Sequence, residues 1–279
     1  MNNSSGRIKG NMDIMENTFE TITFEYDNGV ALIALNRPER LNSFTQQMHN
    51  ELKAVMQILQ SRVDLRGVIL TGTGRGFCAG QDLSERGPLP EGEVRDLSES
   101  LEKNYKPLIM AIRALPVPVV CFVNGVAAGA GFSLALACDI LIAVKSASFL
   151  QAFSRIGLAP DAGSTYFLPR VIGTQRAMAA SMLAKPISSA QAEQWGLVWQ
   201  VIEDADLATE IENMKQTLKN GATRSYAAIK ELIYASSSMS LEEQLNYETQ
   251  MQKELGYTED YREGTAAFAE KRPAVFKGR

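Results

Sequence analysis

From Ala114 to Cys138 the chain carries no charged side chain. A run of that length can cross a bilayer as a helix, so it decides between a membrane protein and a protein with a deeply buried core. Pro116, Pro118, the Asn124-Gly125 pair, Gly129 and Gly131 interrupt it. The pattern therefore predicts a short strand, VPVVCFV, then a turn, then a small-residue helix ending at Asp139, all of it core rather than membrane.

The flanking sequence supplies the layers for such a core. Residues 20–26 alternate like a strand, Asp27-Asn28-Gly29 marks a hairpin, and VALIALN is the return strand. A helix is expected at 45–60, an apolar strand at 67–72, a glycine-rich loop from Gly72 to Gly92 and a helix at 93–115. After the strand at 117–123 and the helix at 129–137 come the strand 139–144, a short SFLQAF strand and helices at 163–183 and 188–195. Beyond Val198–Ile202 everything reads as helix, at 204–219, 222–235, 240–254 and 258–270. Strand–helix alternation followed by helices alone predicts an α/β fold with an α-helical C-terminal part. The 279 residues fit two domains, or one α/β domain with a helical appendix. The polar N-terminus, MNNSSGRIKGNMDIMEN, lacks the apolar stretch of a secretory signal, and residues 1–17 are expected to be a disordered extension.

Composition excludes several chemistries. A formal charge of −4 gives no electrostatic reason to expect nucleic acid or an anionic membrane as partner. Cys78, Cys121 and Cys138 lie in apolar settings, expected to be small buried hydrophobes in a reducing cytosol rather than a disulfide framework. His49 is the single histidine, so Ser-His-Asp triads, Cys-His pairs and multi-histidine zinc sites are poor fits. It sits in a helical pattern and is expected to be a helix-surface or hydrogen-bonded residue, while Trp195 and Trp199 are expected in the core.

Two glycine-bearing loops each follow an apolar strand: TGTGRGFCAGQDL at 71–83 and NGVAAGAGFSLALACD at 124–139. Glycine lets a backbone approach a ligand closely, and a helix start offers free N–H groups. Neither loop has the spacing of a phosphate or dinucleotide motif. Tight turns with close helix packing are the competing reading. Two facing N–H groups from separate loops would form an oxyanion hole, which can stabilise an enolate if a carboxylate stands near as base. Asp161, in RIGLAPDAGSTYFLPRVIG, is the candidate, although an aspartate just before a helix is often only its cap.

NRPERLNSF (36–44), FCAGQDL (77–83), VNGVAAGAG (123–131), CDILIAV (138–144), LAPDAGSTYFLPRVIG (158–173) and AEQWGLVWQV (192–201) together resemble the crotonase, or enoyl-CoA hydratase/isomerase, superfamily. The resemblance runs from about residue 19 to the C-terminus, in order and spacing. It implies a crotonase-like ββα superhelix, with a core at 18–203 for acyl-CoA binding and catalysis and an α-helical region at 204–279 for trimerisation. By motif position it assigns the oxyanion N–H groups to Gln81 and Ala130. It places CoA along Ala79, Gln81, Asp82 and Leu83 with Arg37 nearby, and Phe268 and Lys271 against the CoA of a neighbouring subunit, in a trimer or dimer of trimers.

The departures from the family pattern carry equal weight. Where hydratases of the family carry two glutamates that activate water, this chain has Ser133 and Phe153. Asp161 stands where isomerase and dehalogenase relatives place a single aspartate. One carboxylate can move one proton between two carbons. The resemblance thus implies a cytoplasmic acyl-CoA isomerase with Asp161 as base, no metal, no redox cofactor, and CoA only as part of the substrate. The alternatives are a hydratase, another aspartate-using crotonase, or a catalytically silent acyl-CoA-binding subunit. The acyl pocket is expected to draw on the 84–110 region.

Overall fold

The computed structural model describes residues 19–87 and 93–279; the expected extension at 1–17 lies outside the described residues. Strands β1 (Ile22–Asp27) and β2 (Val30–Leu35) form the expected hairpin, closed by Asn28 and Gly29, both at positive φ as a tight two-residue turn requires. Helix α1 (Gln46–Ser61) is capped by Thr45, whose hydroxyl accepts from the Met48 N–H. From there the chain advances in repeated turns of a long strand and a short strand. β3 (Gly67–Gly72) leads to β4 (Gly76–Cys78), β5 (Val119–Val123) to β6 (Val126–Ala128), and β7 (Ile140–Val144) to β8 (Ser148–Leu150). The longer strands, with the three-residue β10 (Gln200–Ile202) at the edge, build one sheet in the order β1-β2-β3-β5-β7-β10, parallel from β2 onward. Short strands build a second sheet, β4-β6-β8-β9, with β9 at Ile187–Ser188. This is the ββα superhelix of the crotonase fold, an α/β architecture with a helical C-terminal region.

The uncharged stretch resolves into β5, β6 and helix α4 (Ala130–Ala137). All five residues of β5 and all eight of α4 are buried. A parallel sheet covered on both faces asks for such continuous apolar runs, and each fully buried Val, Leu or Phe contributes about 1.5–3 kcal/mol relative to exposure.

Three helices depart from expectation. The helix expected at 93–115 begins only at Ser98, because Asp96 turns its carboxylate onto the Ser98 N–H and hydroxyl, a local bond that competes with helix propagation. It then runs as α2 (Ser98–Ser100), a π segment at Leu101–Tyr105 and α3 (Lys106–Ala114). Pro107, at the start of α3, has no N–H for the ladder, and the wider π turns lie just ahead of it. The expected helix 163–183 is two, α5 (Ser164–Ile172) and α6 (Thr174–Leu183), broken at Gly173, whose φ of 80° is left-handed. The helix expected from 188 starts one residue later, as α7 (Ser189–Gln194), because Ser188 belongs to β9 and caps it.

The C-terminal helices fall close to their expected places as α8 (Leu207–Asn220), α9 (Thr223–Ala235), α10 (Leu241–Gly256) and α11 (Glu259–Glu270). α9 is tied to the main sheet by charge: the Asp139 carboxylate pairs with the buried Lys230 ammonium at 2.9 Å and accepts from the Tyr234 hydroxyl and the Val119 N–H. Trp195 packs against the core as expected, but Trp199 is 68% exposed, which corrects its assignment to the core.

Candidate active site

The site grows from the turn that joins β3 to β4. Two buried asparagines hold it. Asn42 accepts from the Arg37 N–H and donates to the Thr73 and Gly76 carbonyls at 2.9 and 2.7 Å. Asn124 accepts from the Gly72 N–H and donates to the Gly74 and Gly76 carbonyls. Backbone groups that neither sheet can pair are thus satisfied by side chains from two other loops. Just beyond, Phe44 clamps the 80–82 segment: its N–H donates to the Gly80 carbonyl, and its own carbonyl accepts from the Asp82 N–H.

Among the described residues, neither the Gln81 nor the Ala130 N–H has an acceptor. Gln81 follows β4, and Ala130 is the first residue of α4, where a helix leaves its N–H groups open. β4 and β6 pair in parallel and bring the two donors side by side. The approach is tight enough that a Cβ at Gly80 would stand 2.9 Å from the Ala128 carbonyl oxygen and 3.4 Å from the Ala130 nitrogen. A Cβ at Gly131 would overlap the Cys78 carbonyl. Two unpaired N–H groups on neighbouring backbone segments can both donate to one oxygen of a ligand. The Gln81 side chain is held as well, donating to the Phe44 carbonyl and accepting from the Tyr105 hydroxyl at 2.8 Å.

Asp161 is half-buried, with Oδ1 shielded from solvent. It does not cap α5, since the residue at that position is Gly163; what faces the helix is the Asp161 carbonyl, which accepts from the Ser164 N–H at 3.0 Å. The same carbonyl accepts from the Ser133 hydroxyl, one helical turn along α4 from Ala130. The structure therefore gathers Gln81, Ala130 and Asp161 through two connections, Gly80 against Ala130 and Ser133 against Asp161. Asp161 opens into a cavity of about 590 Å³ whose wall includes Tyr105, Ile109, Met110, Tyr166 and Phe167. Glu102 is also on that wall, but it is exposed and pairs with Lys106. Phe153 is buried with its ring over Gly129.

On the rim, Arg37 and Asp82 pair with one another at 2.9 Å, and Arg37 also donates to the Ser43 carbonyl. Hydrogen bonds from Ser84 and the Arg37 guanidinium hold the Asp82 carboxyl below the usual range despite its burial. Ala79 is half-buried and Leu83 exposed beside them. Phe268, 88% exposed, and Lys271 end α11, and among the described residues their hydrogen bonds stay within the C-terminal region. The three cysteines are buried as expected, and burial pushes the Cys78 thiol up to about 12.

His49 corrects its expectation. It is buried, stacked on Phe44 at 4.9 Å and edge-on to Tyr105, and among the described residues neither ring nitrogen has a hydrogen-bond partner. Burial lowers its pKa to about 4. Because the unfolded chain binds that proton near pH 6.5, stability from the neutral ring is fully present above about 6.5 and is lost as pH falls toward 4, up to about 3 kcal/mol. His49→Leu should flatten the fall in urea-denaturation stability between pH 7 and 4.5. Identical slopes in parent and variant would rule the histidine out as the source.

The enoyl-CoA hydratase/isomerase family model matches residues 25–279. The chain belongs to that family and is a crotonase-fold enzyme of the isomerase or hydratase kind. It is 45% identical over 260 residues to the 1,2-epoxyphenylacetyl-CoA isomerase of Escherichia coli, covering 93% of this chain and 99% of that one. A Rhodobacter capsulatus relative bearing an enoyl-CoA hydratase name is 43% identical, over 94% of this chain and all of the other. The crystal structure of enoyl-CoA hydratase from Bacillus anthracis superposes with a TM-score of 0.86 at 32% identity, covering 93% of this chain and 100% of that one.

Proposed function

We propose that this chain is an acyl-CoA isomerase in which Gln81 and Ala130 stabilise a thioester enolate and Asp161 moves the proton. The observation that carries this reading is the half-buried carboxylate of Asp161 in an aromatic-walled cavity, where the other carboxylate, Glu102, is exposed and paired with Lys106, and its link through Ser133 to the helix that Ala130 begins. The family resemblance puts Ser133 and Phe153 at the positions of the hydratase glutamates. Asp161 takes a proton from the α-carbon of a 3-enoyl-CoA, the electrons move onto the thioester oxygen, and return of the proton at the γ-carbon leaves the 2-enoyl-CoA. Each N–H is worth about 3–4 kcal/mol in the transition state, and the base contributes about 10²–10⁴-fold. No metal or redox partner enters this balance; CoA is part of the substrate.

The wall of Tyr105, Tyr166 and Phe167 fits a ring-bearing acyl group, and 45% identity to 1,2-epoxyphenylacetyl-CoA isomerase favours the same substrate class, with the enolate assisting epoxide rearrangement. CoA lies along Arg37, Ala79, Gln81, Asp82 and Leu83, while Phe268 and Lys271 serve a neighbour's CoA in a cytoplasmic trimer or dimer of trimers. Arg37, already paired with Asp82, acts mainly to fix that rim.

The hydratase name of the 43% identical relative favours water addition as the second reading. Crotonyl-CoA hydration, isomerisation of a straight-chain 3-enoyl-CoA and turnover of 1,2-epoxyphenylacetyl-CoA, followed by absorbance and mass spectrometry, separate the two. Either isomerisation should outrun hydration by about 10²-fold, the contribution of the missing acid–base pair. Faster hydration at matched concentrations overturns the isomerase reading.

A further inference from the structure

Beneath Asp161 lies a buried polar cluster for which the proposed chemistry has no direct use. Ser133, Ser164 and Gln151 are each no more than 1% exposed. Gln151 Nε2 donates to Ser164 Oγ at 2.8 Å, the two serine hydroxyls lie 2.8 Å apart, and Ser133 Oγ reaches the Asp161 carbonyl at 3.0 Å. A hydroxyl has one proton to give. With the amide N–H directed at Ser164, the Ser164 proton goes to Ser133, and the Ser133 proton has two carbonyls to meet, that of Asp161 at 3.0 Å and, one turn back in its own helix, that of Gly129 at 3.2 Å; the shorter of the two ends the chain at Asp161.

The end of this chain is a strained turn. Ala162 has a φ of 49° and Gly163 a φ of 88°, so a residue with a side chain sits in the left-handed region directly after Asp161. Such backbone persists only where its surroundings over-determine it. Here the Asp161 carbonyl is held by two donors, the Ser133 hydroxyl and the Ser164 N–H. Fixing that carbonyl fixes the peptide plane between Asp161 and Ala162. Because Ser133 lies on α4, the same bond sets the distance between Asp161 and the N–H of Ala130.

We propose that Ser133, backed by Ser164 and Gln151, is a positioning residue that aims the Asp161 carboxylate at the substrate carbon. The inference rests on Asp161 being the base. Ser133 touches no reacting atom in this scheme and acts only through the carbonyl of Asp161.

The test compares Ser133→Ala, Ser164→Ala, Asp161→Asn and the Ser133→Ala/Asp161→Asn double variant, with a straight-chain 3-enoyl-CoA as probe. Ser133→Ala should lower kcat about tenfold or more, as expected for a misplaced base, with KM within about twofold of the parent. Ser164→Ala should do the same to a smaller degree, because Ser133 keeps its own proton for the carbonyl. In the Asp161→Asn background Ser133→Ala should cause no further loss, since there is no base left to aim. Should Ser133→Ala not fold, Ser164→Ala alone and in the Asp161→Asn background decides in the same way. A parental kcat in the serine variants, with Asp161→Asn impaired, overturns the positioning role and leaves the isomerase reading standing. A further loss of the same factor in the double variant overturns it too, showing that Ser133 acts independently of Asp161. Parental turnover in Asp161→Asn removes the base and both readings together.

Discussion

Asp161→Asn should lower turnover of a 3-enoyl-CoA by about 100-fold or more while leaving KM near its parental value. Asparagine matches the size and shape of aspartate but cannot take up a proton at neutral pH. The backbone around the residue has little reason to respond, because Ser133 and Ser164 bind the carbonyl of residue 161 and not its side chain. The melting temperature should stay within a few degrees of the parent. Thioester binding should also persist, since the proposed donors are backbone N–H groups of Gln81 and Ala130 on other loops. A fall in kcat with an unmoved KM marks an interaction made mainly in the transition state. Deuterium uptake from solvent at the α-carbon should fall in parallel. A folded variant that isomerises at the parental rate would send the search for the base to another wall of the cavity.

What could be read from the residues, and what could not, follows from the range of the interactions. β5 and α4 were legible because burial on every side leaves a continuous apolar mark. β4 and β6 were not, because three residues are too few to display a period-two pattern, and the glycines in and beside them read as loop. The second sheet was therefore largely invisible, although it is what brings the loop after β4 to the start of α4. Gln81, Ala130 and Asp161 could be singled out only as loop residues by chemistry alone; their roles came through family resemblance. The bracing roles of Asn42 and Asn124 were not legible because the groups of the β3–β4 turn that they hold lie 31 to 52 residues away, and locally each reads as an ordinary turn residue. His49 was legible and was misread. In α1 the buried positions are 48, 49, 52, 55, 56 and 59, so the helical period itself places the histidine on the apolar stripe.

Gly131→Ala sets local propensity against packing, and packing should win. Inside a helix alanine is favoured over glycine by about 1 kcal/mol, and Gly131 is the second residue of α4. The methyl group, however, would overlap the Cys78 carbonyl oxygen and stand 2.7 Å from the Cys78 Cβ. The obstacle includes backbone, fixed on one side by the β4–β6 pairing and on the other by the Asn42 and Asn124 bonds to the Gly76 carbonyl. Overpacking of this kind typically costs about 1–3 kcal/mol, which exceeds the helical gain. Relief can come only by moving the Cys78–Gln81 segment away from α4, and that separates the two N–H groups proposed to meet one oxygen. Losing the alignment of one such donor lowers turnover by about 10²–10³-fold. Gly131→Ala should therefore melt several degrees below the parent and lose about 100-fold or more in kcat, with Asp161 untouched. Gly256→Ala is the matched control: it ends α10, nothing lies within 4 Å of its added Cβ, and its φ is not positive. It should be neutral or slightly stabilising. If both variants melt and turn over alike, the two loops have room to spare, and the alignment of Gln81 with Ala130 does not depend on a bare Cα at position 131.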